Sequence, residues 1–315
     1  MTRQIPPRPG RPGLDIRGSR ATAHGIGELR DGGIRSSGMN GSANVRVSAD
    51  ARRSQTAARR RELGTFLRAR RERTSPAEVG LPGSDRRRTP GLRREELAVL
   101  SGVSTTWYAY LEQGRDVNPS DQVLTAIADA LRLTGDERAH LRALADGTAG
   151  SAPPPPVENL SAEVAAIPAL LSPAPAYITG ATTDLLAWND AAAEYFSGLI
   201  VQSASAAPNL ARWVFLDPDA RRILLDWTEV AQSVLARLRT NAGRHPDDAR
   251  FARLAAELRE GSAEAAAWWP RYDIATSHSG TKRLHHHTLG PLTLTHASFT
   301  VTDAPDQILV VYSVP

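Results

Sequence analysis

Thr105, Thr106 and Tyr110 fall on one side of the short apolar-periodic stretch that follows Ser104, and hydroxyl-bearing side chains presented together from a helix can donate to and accept from base edges. Arg86, Arg87 and Arg88 form an uninterrupted run upstream, a pattern that suits phosphate oxygens and equally suits a solvated loop. His278, His285, His286, His287 and His296 place five of the eight histidines within nineteen residues, the one grouping with the makings of a metal site. No acidic residue lies in the stretch 275–300 to complete it, and no nucleophile–base pair, phosphate loop or paired-carboxylate pattern occurs elsewhere. No metal, no catalytic residue and no enzymatic activity is therefore expected.

The elements that would position the three hydroxyls lie in the stretch 93–115, RREELAVLSGVSTTWYAYLEQGR. Two short amphipathic helices flank a Gly102–Val103–Ser104 turn. Ala98 is small where the helices approach, Gly102 suits a turn with positive φ, and Ser104 is a good N-cap. Val103, Tyr108 and Leu111 share a stripe expected to pack on Leu97, Ala98 and Leu100, with Trp107 at the border between the faces. The second helix should run to about Glu112 and stop at Gly114. This is helix-turn-helix spacing, in which the second helix enters the major groove of double-stranded DNA; a helical hairpin that only builds a core is the plainer alternative.

Charge is distributed in the same sense. The 38 Lys plus Arg exceed the 34 Asp plus Glu by four, but residues 1–58 carry +6, residues 59–150 +3 and residues 151–315 −5. The N-terminal half is the half that would seek phosphate. Every basic residue is Arg except Lys282, a bias in keeping with a GC-rich genome. With no cysteine, no apolar leader and no apolar run near membrane-spanning length, a cytoplasmic protein with no membrane partner is expected.

Residues 1–58 are rich in Gly, Pro, Arg and Ser and read as a disordered basic extension, within which Met39 is an alternative start. Residues 59–147 read as a five-helix domain whose first helix carries Leu63, Phe66 and Leu67, followed after the recognition helix by helices around Leu124, Ile127, Leu141 and Leu144. Residues 148–156, with four consecutive prolines, read as a stiff linker, and residues 157–315 as a second domain. There, 176–179, 184–188, 292–301 and 308–312 read as strands and 209–272 as helical, giving a sheet of about five strands flanked by helices. Trp188, Phe215, Trp227, Trp268 and Trp269 offer apolar surface for a ligand pocket, and Asn189 could fix a polar group; each taken singly is also what a core would contain.

Seven segments occur in order across 63–315: LGTFLRARRER (63–73), RRRTPGLRREELA (86–98), WYAYLEQGRDVNPSDQVL (107–124), DLLAWNDAA (184–192), LDWTEVA (225–231), HPDD (245–248) and LGPLTLTHASF (289–299). Together they resemble the MmyB-type branch of the XRE helix-turn-helix regulators. The resemblance implies an N-terminal five-helix XRE or lambda-repressor-like helix-turn-helix domain and a C-terminal PAS-like mixed α/β ligand-binding domain, in some members for a fatty acid. Arg94 holds the place where the family usually has a phosphate-touching Gln, and His287–Thr288 replaces the usual His-Pro. The expected function is a homodimeric, sequence-specific transcription regulator. Its DNA-binding residues are Arg86, Arg87, Arg88, Arg94, Ser104, Thr105, Thr106 and Tyr110, and its ligand-binding residues Trp188, Asn189, Phe215 and Trp227, the ligand being a small apolar, fatty-acid-like molecule and no other cofactor being called for. The alternatives are a second domain that only dimerises or binds a partner protein, and a DNA-tethered metal-dependent enzyme.

Overall fold

The computed structural model describes residues 40–82, 91–146, 156, 158–200, 207–274 and 279–313, with side chains of 40–52 excepted. Arg86, Arg87, Arg88 and almost all of the proline-rich stretch 148–156 lie outside the described residues. Residues 46–315 form one compact unit.

Five helices make the N-terminal core: α1 (Asn40–Arg73), α2 (Arg94–Ser101), α3 (Thr105–Glu112), α4 (Asp121–Ala130) and α5 (Gly135–Asp146). Residues 40–58 are part of α1, which corrects the expectation that everything before 59 lacks structure. The stretch 51–61, ARRSQTAARRR, is made mostly of strong helix formers, so propensity extends a helix whose apolar face begins only at Leu63. Leu63, Phe66 and Leu67 of α1 pack with Leu97, Tyr108, Leu111, Leu124, Ile127, Leu141 and Leu144. Gly64 is required at the α1–α3 crossing, because a Cβ there would run into the Glu112 carbonyl.

The remaining α-helices among the described residues are α6 (Ala162–Leu170), α7 (Asp190–Tyr195), α8 (Ser197–Ile200), α9 (Leu210–Leu216), α10 (Pro218–Ile223), α11 (Trp227–Arg244), α12 (Ala249–Gly261) and α13 (Ala263–Trp268). They accompany strands β1 (Ala176–Thr179), β2 (Leu185–Trp188), β3 (Ser279–His286), β4 (Gly290–Val301) and β5 (Ala304–Ser313). The strands form one antiparallel sheet in the order β2-β1-β5-β4-β3. Cross-strand partners share a face, so the pairs Tyr177–Val310, His296–Tyr312 and Lys282–Leu294 all turn inward toward the helices. Tyr177, Leu284, Leu294, Ile308, Val310 and Tyr312 there meet Trp213, Val214, Leu235 and Leu238 in a second core. The expected mixed α/β architecture is the one observed.

The two cores meet at Tyr272. This residue follows α13 in sequence, in the left-handed conformation at φ 55°, yet its ring is buried in the N-terminal core.

Candidate functional site

The turn before α3 is built as its residues dictate. Gly102 takes φ 68°, Val103 N donates to Ala98 O at 3.0 Å, and Ser104 Oγ accepts from Trp107 N at 3.1 Å, capping the helix. Tyr108 and Leu111 turn inward and Trp107 packs at the edge of the core. Thr106 and Tyr110 are left exposed and Thr105 partly so. The Arg115 guanidinium lies 4.4 Å from the Tyr110 ring centroid and joins that outer face. Leu100, expected beneath α3, is exposed together with Val99, since the buried stripe of α2 is Leu97, Ala98 and Ser101.

Beneath α3 the end of the helix is fixed by a buried ion network that sequence reasoning missed. Arg71 Nε and Nη2 donate to the two Glu112 carboxylate oxygens at 2.8 and 2.9 Å, and Arg71 Nη1 donates to Leu92 O at 2.8 Å. Arg94 Nε and Nη2 both donate to Glu112 Oε1, at 3.1 and 2.9 Å. Burial alone would raise the Glu112 pKa, but the hydrogen bonds and charges of Arg71 and Arg94 outweigh it and hold the carboxyl below its ordinary range. Arg94 itself remains half-exposed.

At the seam between the cores, the Tyr272 hydroxyl donates to Glu62 Oε1 at 2.5 Å and lies 3.3 Å from His140 Nε2. Its ring stands edge-on to Phe66, centroids 5.2 Å apart, with the Arg239 guanidinium of α11 3.8 Å above it. Arg239 also pairs with Glu62 at 3.0 Å, Arg70 bonds both Glu137 and the Tyr272 carbonyl, and Arg73 pairs with Asp273. Burial, reinforced by Arg244, Arg239 and Arg70, pushes the His140 pKa down to about 3.

Of the four residues expected around a ligand, Phe215 and Trp227 are brought together, with ring centroids 6.1 Å apart. Asn189 Nδ2 donates to Pro168 O and Ala174 O at 2.9 and 2.8 Å, and its Oδ1 accepts from Ala176 N and Ala192 N at 3.1 and 2.9 Å. Both amide donors are spent on α6 and the loop before β1, and the oxygen holds the start of β1 and caps α7. Phe215, Trp227 and Trp268 cluster with centroids 6.0–6.4 Å apart, and Trp227 Nε1 donates to Val214 O at 2.8 Å. Trp188 stands apart at the end of β2, partly exposed. One cavity of about 290 Å³ opens between α11, α12 and Glu62 of α1, bounded by Arg239, His245, Phe251 and Trp269. Another, of about 70 Å³, lies between α11 and the inward face of the sheet. Of the clustered histidines, His285 and His287 are exposed and His286 is buried, its Nδ1 accepting from Thr288 N and Leu289 N at 3.3 Å. No group of three or more His, Cys, Asp or Glu among the described residues is placed to hold a metal ion.

Helices, turn, cap and outward hydroxyls define a helix-turn-helix DNA-binding region joined to a second, sheet-based domain. Residues 62–141 match the family model of a helix-turn-helix domain, and residues 160–315 match that of the MmyB-like transcription regulator ligand binding domain. The chain belongs to the MmyB-like helix-turn-helix transcription regulators: a DNA-binding regulator with a ligand-binding domain. A comparison with curated proteins found no match. No helix among the described residues is long and apolar enough to cross a membrane.

Proposed function

We propose that this regulator works in the cytoplasm as a homodimer on a two-fold symmetric site in double-stranded DNA, without enzymatic activity, and that a small, largely apolar ligand in its PAS-like C-terminal domain changes how tightly it binds. The observation that carries the reading is the Tyr272 seam, through which one residue of the ligand-binding domain completes the core beneath the DNA-binding helices. Thr105, Thr106 and Tyr110 read base edges, while Arg94, the Ser104 end of α3 and the run Arg86, Arg87 and Arg88 hold phosphates. A ligand shifts affinity for DNA only if it prefers one arrangement of the seam, and Arg239 of α11, stacked on Tyr272, links the two. Phe215 and Trp227 supply apolar surface for the ligand, as does Trp188 at the end of β2, and Asn189 acts by holding β1 and α7 rather than by touching the ligand.

Native mass spectrometry of the purified full-length chain, alone and with a selected duplex, tests this. The expected masses are two chains per duplex with a retained small molecule whose removal changes duplex affinity. Monomers on DNA, or an affinity indifferent to every small molecule the protein retains, would contradict it.

A further inference from the structure

The cavity between α11 and the sheet holds about 70 Å³, enough for several water-sized groups. Its polar lining comes from Tyr177 of β1, Arg237 and Ser233 of α11, Lys282 of β3, and His296 and Ser298 of β4. Lys282 Nζ donates to the Tyr312 hydroxyl at 2.7 Å, that hydroxyl lies 3.2 Å from the Tyr177 hydroxyl, and Arg237 Nη2 donates to Thr179 Oγ1 at 2.8 Å. None of the lining residues is Asp or Glu, and neither Arg237 nor Lys282 forms an ion pair with any described carboxylate. Burial pushes the Arg237 pKa down, against the opposing influence of the Tyr177 and Tyr312 phenols. His296 is kept neutral by burial and by the charge of Lys282, its pKa down to about 4, and its Nδ1 is buried without a partner. Lys282 is also the only lysine of the chain. Two cations sharing a sheltered cavity without a counter-charge are costly to bury, and a bound anion offsets that cost.

We propose that this cavity is an oxyanion site, in which Arg237 from the helix and Lys282 from the sheet together hold the carboxylate of an organic acid or a phosphate group. The site deepens the ligand-sensing reading and rests on it only for its effect on DNA: α11 carries Arg237 at the cavity and, two residues on, Arg239 at the Tyr272 seam. An anion that draws on Arg237 therefore acts on the helix that braces the DNA-binding core.

Isothermal titration of the full-length chain with sodium octanoate, 1-octanol and sodium phosphate at fixed ionic strength tests the site and separates the two sources. Octanoate or phosphate should bind at one site per chain, with Lys282→Gln and Arg237→Gln each weakening it by about tenfold or more. Arg253→Gln, which removes an exposed arginine of α12, should leave binding unchanged. Saturation by octanoate alone assigns an organic carboxylate, and saturation by phosphate alone assigns a phosphate. No saturable binding of either anion, octanol bound as tightly as octanoate, or an equal loss in Arg253→Gln overturns the proposal. If Arg237→Gln does not fold, Lys282→Gln decides, since Lys282 is only partly buried and lies on the edge strand β3. Binding is read without DNA, so an anion that binds but leaves DNA affinity unchanged counts against ligand sensing and not against the site. Intact, ligand-responsive DNA binding with no anion uptake counts against the site alone.

Discussion

Arg71, in the helix-turn-helix region, is met by the Glu112 carboxylate on two of its nitrogens and by a carbonyl on the third, and Glu112 is shared with Arg94. Arg237, in the sheet region, meets the hydroxyl of Thr179 and faces a cavity with Lys282 but without a carboxylate. Both arginines are sheltered from water, so the difference lies in the partner. A charge closed by its own chain serves to fix a shape, here the end of α3. Under the proposed anion site, a charge left open waits on a partner that arrives from outside.

The strongest way to break this contrast is to open the closed site. Glu112→Ala takes the hydrogen-bonded carboxylate from buried Arg71, leaving it the more exposed Glu72 at 3.7 Å, and should cost about 3 kcal/mol in urea unfolding, because the charge is left poorly compensated. The double variant Arg71→Met/Glu112→Leu should recover most of that loss, since it removes both charges. If Glu112→Ala is as stable as the parent, the network does not fix α3. Next in size, Tyr272→Ala removes a fully buried ring from the N-terminal core and should lower stability by roughly 3 kcal/mol, as for other buried aromatic truncations. Under the coupling proposed here it should also abolish any effect of ligand on duplex affinity, which gel shift or fluorescence anisotropy would report.

A smaller effect sharpens the role of the seam. His140 stays neutral in the folded chain down to about pH 3, whereas its ordinary value is 6.5. Between these values the unfolded chain binds a proton that the folded chain refuses, so stability rises with pH across the window and falls as pH drops. This one group should contribute up to about 1.4 kcal/mol per pH unit below 6.5, seen in urea midpoints taken between pH 7 and 5. His140→Gln should flatten that slope; an unchanged slope would mean that His140 titrates freely.

The helix-turn-helix was legible because its constraints are local. A small residue, a left-handed glycine and an N-capping serine stand at fixed offsets, and each acts on a neighbour within one or two turns. The strands β1, β2, β4 and β5 were visible through apolar runs and alternation. By contrast, β3 reads SGTKRLHH, with Leu284 its only aliphatic residue beyond glycine, so its inward face is disguised by Lys282 and by Gly280. The side chains around Asn189 and Trp188 show the same limit. Asn189 and Trp188 are neighbours in the chain, but one is consumed by backbone groups and the other sits at a strand end. The cavity between α11 and the sheet draws on α11, β3 and β4, and Arg237 and Lys282 are brought together only by the packing of that helix on the sheet. Arg71 and Glu112 were similarly hidden, since nothing in sequence distinguishes Arg71 from the arginines beside it on α1.

The most direct measurement is selection of duplexes from a random pool by the full-length chain at physiological salt, run in parallel with Thr106→Ala and with the triple variant Arg86→Ala/Arg87→Ala/Arg88→Ala. If α3 reads bases, the parent enriches one discrete two-fold motif, Thr106→Ala changes the preferred base at a defined position, and the triple variant keeps the motif while binding every duplex more weakly and with a shallower salt dependence. A parent chain that enriches no motif, or a Thr106→Ala chain that enriches the same motif unaltered while the arginine variant changes it, would contradict the assignment of α3 as the reading helix.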